Sequence, residues 1–479
     1  MTQTKHSCAM MPRFLAHVRK TLLQHPRAGG ELAVSQCPAV VDVMGGIGED
    51  TGSLVLTATL SESFIAAAWQ TQDRILHVRF ADEANKGPLL DFGLPIAEIR
   101  NAEKTAKGLL DRCREAGGDW AATTCRTLAQ AVRESMIPSS NSGLMILLQS
   151  GFSPQADLGR PAVQAAATID VLCKLFGSSA DRLQQSRLCA GVVEHCTGLY
   201  GVRTPMAALC GSPDGSLLQL RFYPQPICQS LQLPENVAIM AARTRLARPT
   251  THGRMINTRT CTEMGRRIIL ALQQRDGMNV DAARSRLSSI TPPEYVERYR
   301  DRMPSKITGK NFVAQFGEPR GLNGEIDPKT VYKVRSRAEH HIYENRRVHE
   351  FVTHLAMARR SGSADSLVQA GELMYASHWS HSQRCGIGGV EPDQLVGFIR
   401  KAGPAAGLFG AKVTAGGDGG EIVILMRDDE RARAALVSAV AEAEALADHK
   451  IHTWDGSIGG ADFFEPPRLA DPAEKAGIA

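Results

Sequence analysis

The chain is poor in aromatic residues: Phe, Trp and Tyr make up 5% of its 479 residues. Its cores must therefore be filled mainly by Ala, Leu, Val and Ile. It has no C-x-x-C pair, and its 11 cysteines are scattered singly from Cys8 to Cys385. A disulfide scaffold would be smaller and denser in cysteine, and a zinc module would show paired spacing. The thiols read as mostly buried ones in a reducing, cytoplasmic setting. No apolar run approaches the ~18–20 residues of a spanning helix, which argues against a membrane protein. Neither charge sign dominates: 55 Lys and Arg against 50 Asp and Glu leave +5, too little to imply nucleic acid. No internal repeat is visible. What remains is ordinary globular composition, 43% hydrophobic and 22% charged, long enough for two or three domains.

Acidic residues are also missing before Glu31. Lys5, Arg13, Arg19, Lys20 and Arg27 are interleaved there with Phe14, Leu15, Val18, Leu22 and Leu23. That pattern predicts an amphipathic basic helix without the continuous apolar core of a secretory signal. A surface helix of a cytosolic protein fits it better than a transit peptide.

Alternating apolar runs at Leu54–Leu60, Phe64–Ala68 and Ile75–Phe80, broken by glycines, predict strands and tight turns. Helical spacing appears over 119–136, Pro161–Phe176 and Ala180–Val193, with a buried strand at Leu144–Leu148 between the first two. Strands return at Leu217–Phe222 and Val237–Met240. Arg266–Gln273 and Val280–Leu287 read as helices, and 288–335 as a helix followed by a Pro-rich extended connector. Glu344–Ala358, Ser363–Ser377, Glu391–Ala402 and Glu430–Ala447 read as helices, with strands at Lys412–Val413 and Glu421–Met426. Antiparallel strand runs mixed with helices argue an α+β fold in two lobes.

Four constellations carry chemistry. Thr414-Ala415-Gly416-Gly417-Asp418-Gly419-Gly420 lies between two strands. Clustered glycines let backbone N–H groups approach an anion, although a plain hairpin turn uses glycine too. Asp42-Val43-Met44-Gly45-Gly46-Ile47-Gly48-Glu49-Asp50 precedes a strand and offers carboxylates to sugar hydroxyls. Taken alone, it reads as a polar hairpin. His378-Trp379-Ser380-His381 has metal-compatible spacing but no third ligand in step, so a packed helix face is the better reading. Arg243, Arg245, Arg248, Arg254 and Arg259 form a basic stretch without aromatic residues for base stacking. It reads as a solvated loop or the wall of a polyanion pocket.

Taken in order, these segments resemble the GHMP small-molecule kinases, on the galactokinase and plant-type L-arabinokinase branch. The D-V-M-G-G-I…G-S-L-V-L string at 42–56 resembles the family's first motif, and Asp119-Trp120-Ala121-Ala122 its W-A helix. Thr330-Val331-Tyr332-Lys333-Val334, Ala338-Glu339-His340-His341 and Ile342-Tyr343-Glu344-Asn345 resemble an arabinokinase run. So do Gly371-Glu372-Leu373-Met374 and Cys385-Gly386-Ile387-Gly388, and the glycine loop resembles the third motif. The resemblance implies a two-lobed α+β fold with the active-site cleft between the lobes. It divides the chain into a basic N-terminal helix or extension (1–31), an N-terminal lobe (32–235), a C-terminal lobe (236–465, including the 288–335 connector) and a frayed tail (466–479). It further implies transfer of the ATP γ-phosphoryl, with Mg²⁺, to the anomeric hydroxyl of a sugar. The implied partners are a small-molecule sugar and ATP, with no nucleic acid and no membrane.

Carried over residue by residue, the resemblance assigns Asp42, Gly46, Glu49 and Asp50 to the sugar. Gly159, Arg160, Ala162, Gly416, Gly417, Gly419 and Gly420 go to the nucleotide, Glu194 to the metal, and Arg203 and Thr204 to catalysis. The departures fall on the chemistry. The family's phosphate loop, P-x-G-x-G-[LV]-S-S-S-A-A, aligns with Pro154–Gln164, where Arg160, Pro161 and Ala162 replace serines. Thr204 stands where the family has its proposed base Asp, and Val40 where it has an Arg. A general base is typically worth ~10²–10⁴-fold, so its loss alone leaves a slow kinase. Two readings follow: a sugar 1-kinase with a remodelled phosphate site, or a pseudokinase that senses a sugar or nucleotide and reports it to a protein partner.

Overall fold

Apolar periodicities of two and of 3.6 alternate along the chain, and strands and helices follow them. The computed structural model describes residues 3–28, 31–82, 89–101, 106–152, 159–197, 201–211, 213, 215–244, 246, 252–282, 285–318, 326–414, 420–447, 449–456 and 461. These fall into two compact units. The first draws on residues 1–40, 59–214 and 458–479, the second on 41–58 and 215–457. Two long strands, β1 (Ala33–Met44) and β2 (Val55–Thr71), run through both.

In the first unit the later part of β2 pairs antiparallel with β5 (Gly143–Ser150), from Phe64↔Ser150 to Thr71↔Gly143. β5 pairs parallel with β3 (Ile75–Asp82), and β3 antiparallel with β4 (Leu90–Pro95). Alternate residues Ile65, Ala67 and Trp69 of β2, with Met145 and Leu147 of β5, take up Met10, Phe14 and Val18 of the basic helix α1 (Gln3–Gln24). This is how an amphipathic helix buries one stripe and leaves Arg13, Arg19 and Lys20 to water. The unit's other helices are α2 (Ile96–Asn101), α3 (Ala106–Glu115), α4 (Ala122–Arg133), α5 (Arg160–Phe176), α6 (Arg182–Thr197) and α7 (Arg203–Cys210). Ala-rich α5 is nearly all buried from Ala162 to Cys173, and α4, α6 and α7 pack around it. Small side chains allow that close approach on every face.

In the second unit the start of β2 pairs with β6 (Ser216–Arg221), and β6 with β7 (Ile227–Gln232). A second, antiparallel sheet has the order β11 (Leu408–Val413), β12 (Glu421–Arg427), β8 (Val237–Arg243), β13 (His452–Asp455). Ile422, Ile424 and Met426 point one way along β12, into a core with Leu395 and Ile399 of α13 (Val390–Ala402) and Leu436, Ala439 and Ala443 of α14 (Glu430–Ala447). A separate core joins α8 (His252–Arg275) to α11 (Val334–Ser361). Its fillers include Tyr295 and Tyr299, from a π-helical turn continuing α9 (Pro292–Glu294), and Phe312 of α10 (Gly309–Phe316). Helix α12 (Ala364–Ser380) follows α11.

The α+β expectation holds, and several local ones need correction. Leu54–Leu60 and Phe64–Ala68 are one strand, because every residue from Phe64 to Trp69 is buried and alternation disappears. Among the described residues of 280–287 there is no α-helix: α8 ends at Arg275, Gly277 turns the chain with φ +74°, and a single 3-10 turn follows at Leu287–Ser289. The 288–335 stretch holds α9, α10 and a short ladder between β9 (Ile307–Thr308) and β10 (Val331–Tyr332). Helix α8 starts at His252, so Arg254 and Arg259 lie on a helix and not in a loop. Arg245 and Arg248 lie outside the described residues. Nine cysteines of the described residues are free thiols, seven of them buried. Among those residues no helix is long and apolar enough to cross a membrane.

Candidate functional site

In the second unit, the glycine-rich string after β1 forms a 3-10 turn, Gly46–Thr51. The turn needs glycine at its entry: Gly45 has φ +96°, and a Cβ there would stand 2.7 Å from the Leu54 carbonyl. Asp42 holds the turn from below. Its Oδ1 accepts from the Gly46 N–H at 2.7 Å, and its Oδ2 accepts from Lys412 Nζ at 3.0 Å. Both side chains of that ion pair are sealed from water, at 0% and 1% exposure. Of the four residues assigned to the sugar, Asp42 and Gly46 thus form the frame of the turn. Glu49 and Asp50 are carried on it: Glu49 is buried, while Asp50 is half-exposed and pairs with Arg259 at 2.6 Å.

The same frame reaches the glycine loop. The Asp42 N–H donates to Thr414 Oγ1 at 2.9 Å. The loop's two ends are pinned, Thr414 N–H to the Glu421 carbonyl and Thr244 N–H to the Gly420 carbonyl at 2.9 Å. Gly420 is therefore fixed at the start of β12. Gly416, Gly417 and Gly419 lie outside the described residues. Arg243, from the basic stretch, is committed to Glu421.

Below the turn sits Glu344 of α11. It accepts from Ser377 Oγ at 2.5 Å and from Arg347 at 2.9 Å, and more weakly from the Gly45 N–H at 3.4 Å. Burial pushes its carboxyl up, but Arg347, then His381 and Lys412, together hold it below its usual range. Around it stand His340, His341 and His381, all buried. His381 Nδ1 donates to the Ser377 carbonyl, His340 Nδ1 meets Ser380 Oγ at 2.9 Å, and His341 Nε2 meets Thr262 Oγ1 at 3.1 Å. Burial lowers all three, His381 to about 4 and His341 to about 3, so the cluster is neutral near pH 7. His378 also turns inward, accepting from the Val413 N–H at 3.2 Å and meeting Asp393 at 3.1 Å. The H-x-x-H spacing thus puts two rings into backbone contacts on a packed helix.

In the first unit, Gly159 caps α5 with φ +70°, and Pro161 occupies its first turn. A Cβ at Gly159 would lie 2.5 Å from Thr204 Cγ2. The chain start of α5, with Arg160 and the buried Ala162, therefore abuts the start of α7, with Arg203 and Thr204. Two adjoining helix N-termini and two arginines favour an anion. Pro161 contributes no N–H to such a site. Glu194 lies in the last turn of the neighbouring α6.

Sequence reasoning did not single out Lys412, Glu344 or Ser377 as functional framework. The available signal was a lysine in the otherwise apolar strand Leu408–Val413, since a cation in a buried strand requires a buried anion. It also missed Asp170 of α5, which is buried and held by Ser35, Lys174 and Arg182.

No family model matches the chain. It is 25% identical over 505 residues to an L-arabinokinase of Arabidopsis thaliana, a match covering 93% of this chain and 48% of that protein. It is 30% identical over 148 residues to a galactokinase of Lactococcus lactis subsp. cremoris, covering 29% of this chain and 34% of that one. The chain thus spans about half the length of the first and a third of the second. Among solved structures, Lactococcus lactis galactokinase complexed with galactose superposes with a TM-score of 0.68 at 18% identity, over 93% of this chain and 98% of that one. Methanococcus jannaschii mevalonate kinase gives 0.54 at 12% identity, over 90% and 99%.

Proposed function

We propose that the chain is a GHMP kinase of the galactokinase and L-arabinokinase branch, and that it is an ATP-dependent sugar kinase that makes a sugar 1-phosphate; its similarity to an L-arabinokinase over 93% of its length and its galactokinase-like fold support this reading. The observation that carries this reading is the turn at 46–51. A buried ion pair holds it rigidly, and it presents Glu49 and Asp50 in a chain that aligns over 93% of its length with an L-arabinokinase. Carboxylates on a fixed turn accept hydrogen bonds from vicinal hydroxyls, and prior rigidity lowers the entropy lost on binding.

The nucleotide phosphates go to the starts of α5 and α7. Arg160 and Arg203 supply the charge that the family's serine loop does not supply here, and Gly159 allows the close approach. Mg²⁺ commonly binds through one or two carboxylates plus substrate phosphates. Glu194 suits that donor set; Ala162 removes the serine hydroxyl of the family pattern. The ATP supplies the transferred phosphoryl group. Because that transfer passes through a loose transition state, positioning and charge matter more than a strong base. Thr204 in place of the family Asp is compatible with a slow reaction in which the sugar proton leaves to solvent or phosphate.

The test is purified protein with ATP and Mg²⁺ against a sugar panel led by L-arabinose and D-galactose, with sugar phosphate detected by mass spectrometry. Product that disappears in Gly417→Asp supports the reading. A ligand-induced rise in thermal stability with no product from any sugar contradicts it and returns the sensor.

A further inference from the structure

A second chemically capable cluster lies in the first unit, on elements that the kinase reading does not use. His25 follows the end of α1, Asp73 sits in the turn between β2 and β3, and His77 is on β3. Each brings a ligand atom within 4.8 Å of the other two, and among the described residues no other trio of His, Cys, Asp or Glu does so. We propose that His25, Asp73 and His77 form a binding site for a divalent transition metal of the zinc class.

The surrounding hydrogen bonds aim these groups at one another. Asp73 Oδ1 is occupied by Thr71 Oγ1 at 2.7 Å and the Ile75 N–H at 3.2 Å, which turns Oδ2 toward His77 Nε2 at 2.8 Å. Such outer hydrogen bonds fix a ligating carboxylate. The backbone at His25 is fixed from both sides: its carbonyl accepts from Trp69 Nε1 at 2.9 Å and its N–H donates to the Thr21 carbonyl at 2.8 Å. The His25 and His77 rings lie 4.3 Å apart between centroids.

The protonation states suit a metal. Arg79 has only donors, so its 3.3 Å approach to His25 Nε2 places a lone pair on that nitrogen. Arg79 itself is anchored elsewhere, by Asp91 at 2.7 Å and Gln24 at 2.5 Å, so it releases His25 without losing its own partners. A metal then takes the place of the His77 Nε2 proton, which moves to Nδ1 of the same ring.

Two imidazoles and one carboxylate suit zinc, cobalt, nickel or copper and not magnesium or calcium. Ligands at zinc distances of ~2.0–2.1 Å stand roughly 3.3 Å apart in a tetrahedron. The His77 Nε2 and Asp73 Oδ2 atoms, 2.8 Å apart, therefore have to open around the ion, while the whole trio already lies within 4.8 Å. Asp73 is 40% exposed, which leaves the fourth position to water. Metal binding would clamp the end of α1 to the β2–β3 turn.

The test titrates the metal-stripped full chain with Co²⁺ and Zn²⁺. The proposal predicts one equivalent bound, a visible Co²⁺ spectrum of nitrogen and oxygen ligation without a thiolate charge-transfer band, and a rise in unfolding temperature. His25→Gln and His77→Gln should weaken binding at least tenfold, and Thr71→Val, which unties Asp73, about tenfold. Absence of binding up to millimolar metal overturns the proposal. So does a thiolate band, or affinity that survives both histidine substitutions. If the variants do not fold, the Co²⁺ spectrum of the unmodified chain decides by itself.

Discussion

Asp42 and Asp170 are both sealed from water, each with a side chain 1% exposed, yet their cations differ. Lys412, the partner of Asp42, is 0% exposed. Lys174 and Arg182, the partners of Asp170, are 34% and 23% exposed. The first pair is buried on both sides, and the second keeps one side in reach of solvent. Taking two charges out of water is costly, and a packed apolar pair is often as stable. The Asp170 cluster is therefore adequate for joining α5 to α6. The Asp42 pair is worth its cost for a different reason: its second oxygen fixes the turn that carries Glu49, and its N–H fixes the base of the glycine loop.

Breaking the pairs sharpens that contrast. Lys412→Met should destabilise the second unit by about 3–5 kcal/mol, because it leaves a buried, unpaired carboxylate. Urea unfolding measures this. Adding Asp42→Asn to Lys412→Met should restore much of the stability but not the geometry of the turn, and hence not the sugar kinase activity proposed above.

Acid separates the two regions next. The His340, His341 and His381 pKa values are depressed below the ordinary ~6.5, so the unfolded chain binds more protons than the folded one below that pH. Their contribution is complete above pH ~6.5. It is lost progressively as pH falls toward about 4 for His381 and about 3 for His341. At Asp170, burial pushes the carboxyl up, but Lys174 and Arg182 together hold it below its ordinary ~3.9. Its contribution is intact above ~3.9 and is lost only below it. Hydrogen exchange should therefore show α11 and α12 loosening at pH 5 while α5 stays protected.

The smallest effect is expected at Asp170→Asn. It removes charge-assisted hydrogen bonds worth about 1.5–3 kcal/mol and leaves cations that water can reach. A loss in thermal denaturation as large as that of Lys412→Met would erase the distinction drawn between the two centres.

The same contrast explains what the sequence disclosed. The turn was legible because its glycines are a backbone requirement, as at Gly45, and because Glu49 and Asp50 stand beside them. Lys412 was not, since its partner lies 370 positions away and its strand reads as a plain apolar run. Helix α8 was legible only from Arg266 because Thr258 and Thr262 interrupt its apolar stripe. Both are buried, their hydroxyls satisfied by the Cys385 carbonyl and by His341. Arg259 looked like part of a phosphate-facing stretch, whereas tertiary structure commits it to Asp50. At 160–162 the residues were readable but their environment was not: the contact between Gly159 and Thr204 joins segments 45 positions apart.

In the proposed kinase, the buried Asp42–Lys412 ion pair holds the turn that offers Glu49 to the sugar acceptor. The most direct measurement is ATP-dependent sugar phosphate formation by the intact chain and by Glu49→Gln, with the unfolding transition of each recorded alongside. A sugar monophosphate is expected from the intact chain, with a loss of about 10²-fold or more in the variant at unchanged stability. Equal turnover by both proteins, or no product from any sugar by a folded chain, would contradict it.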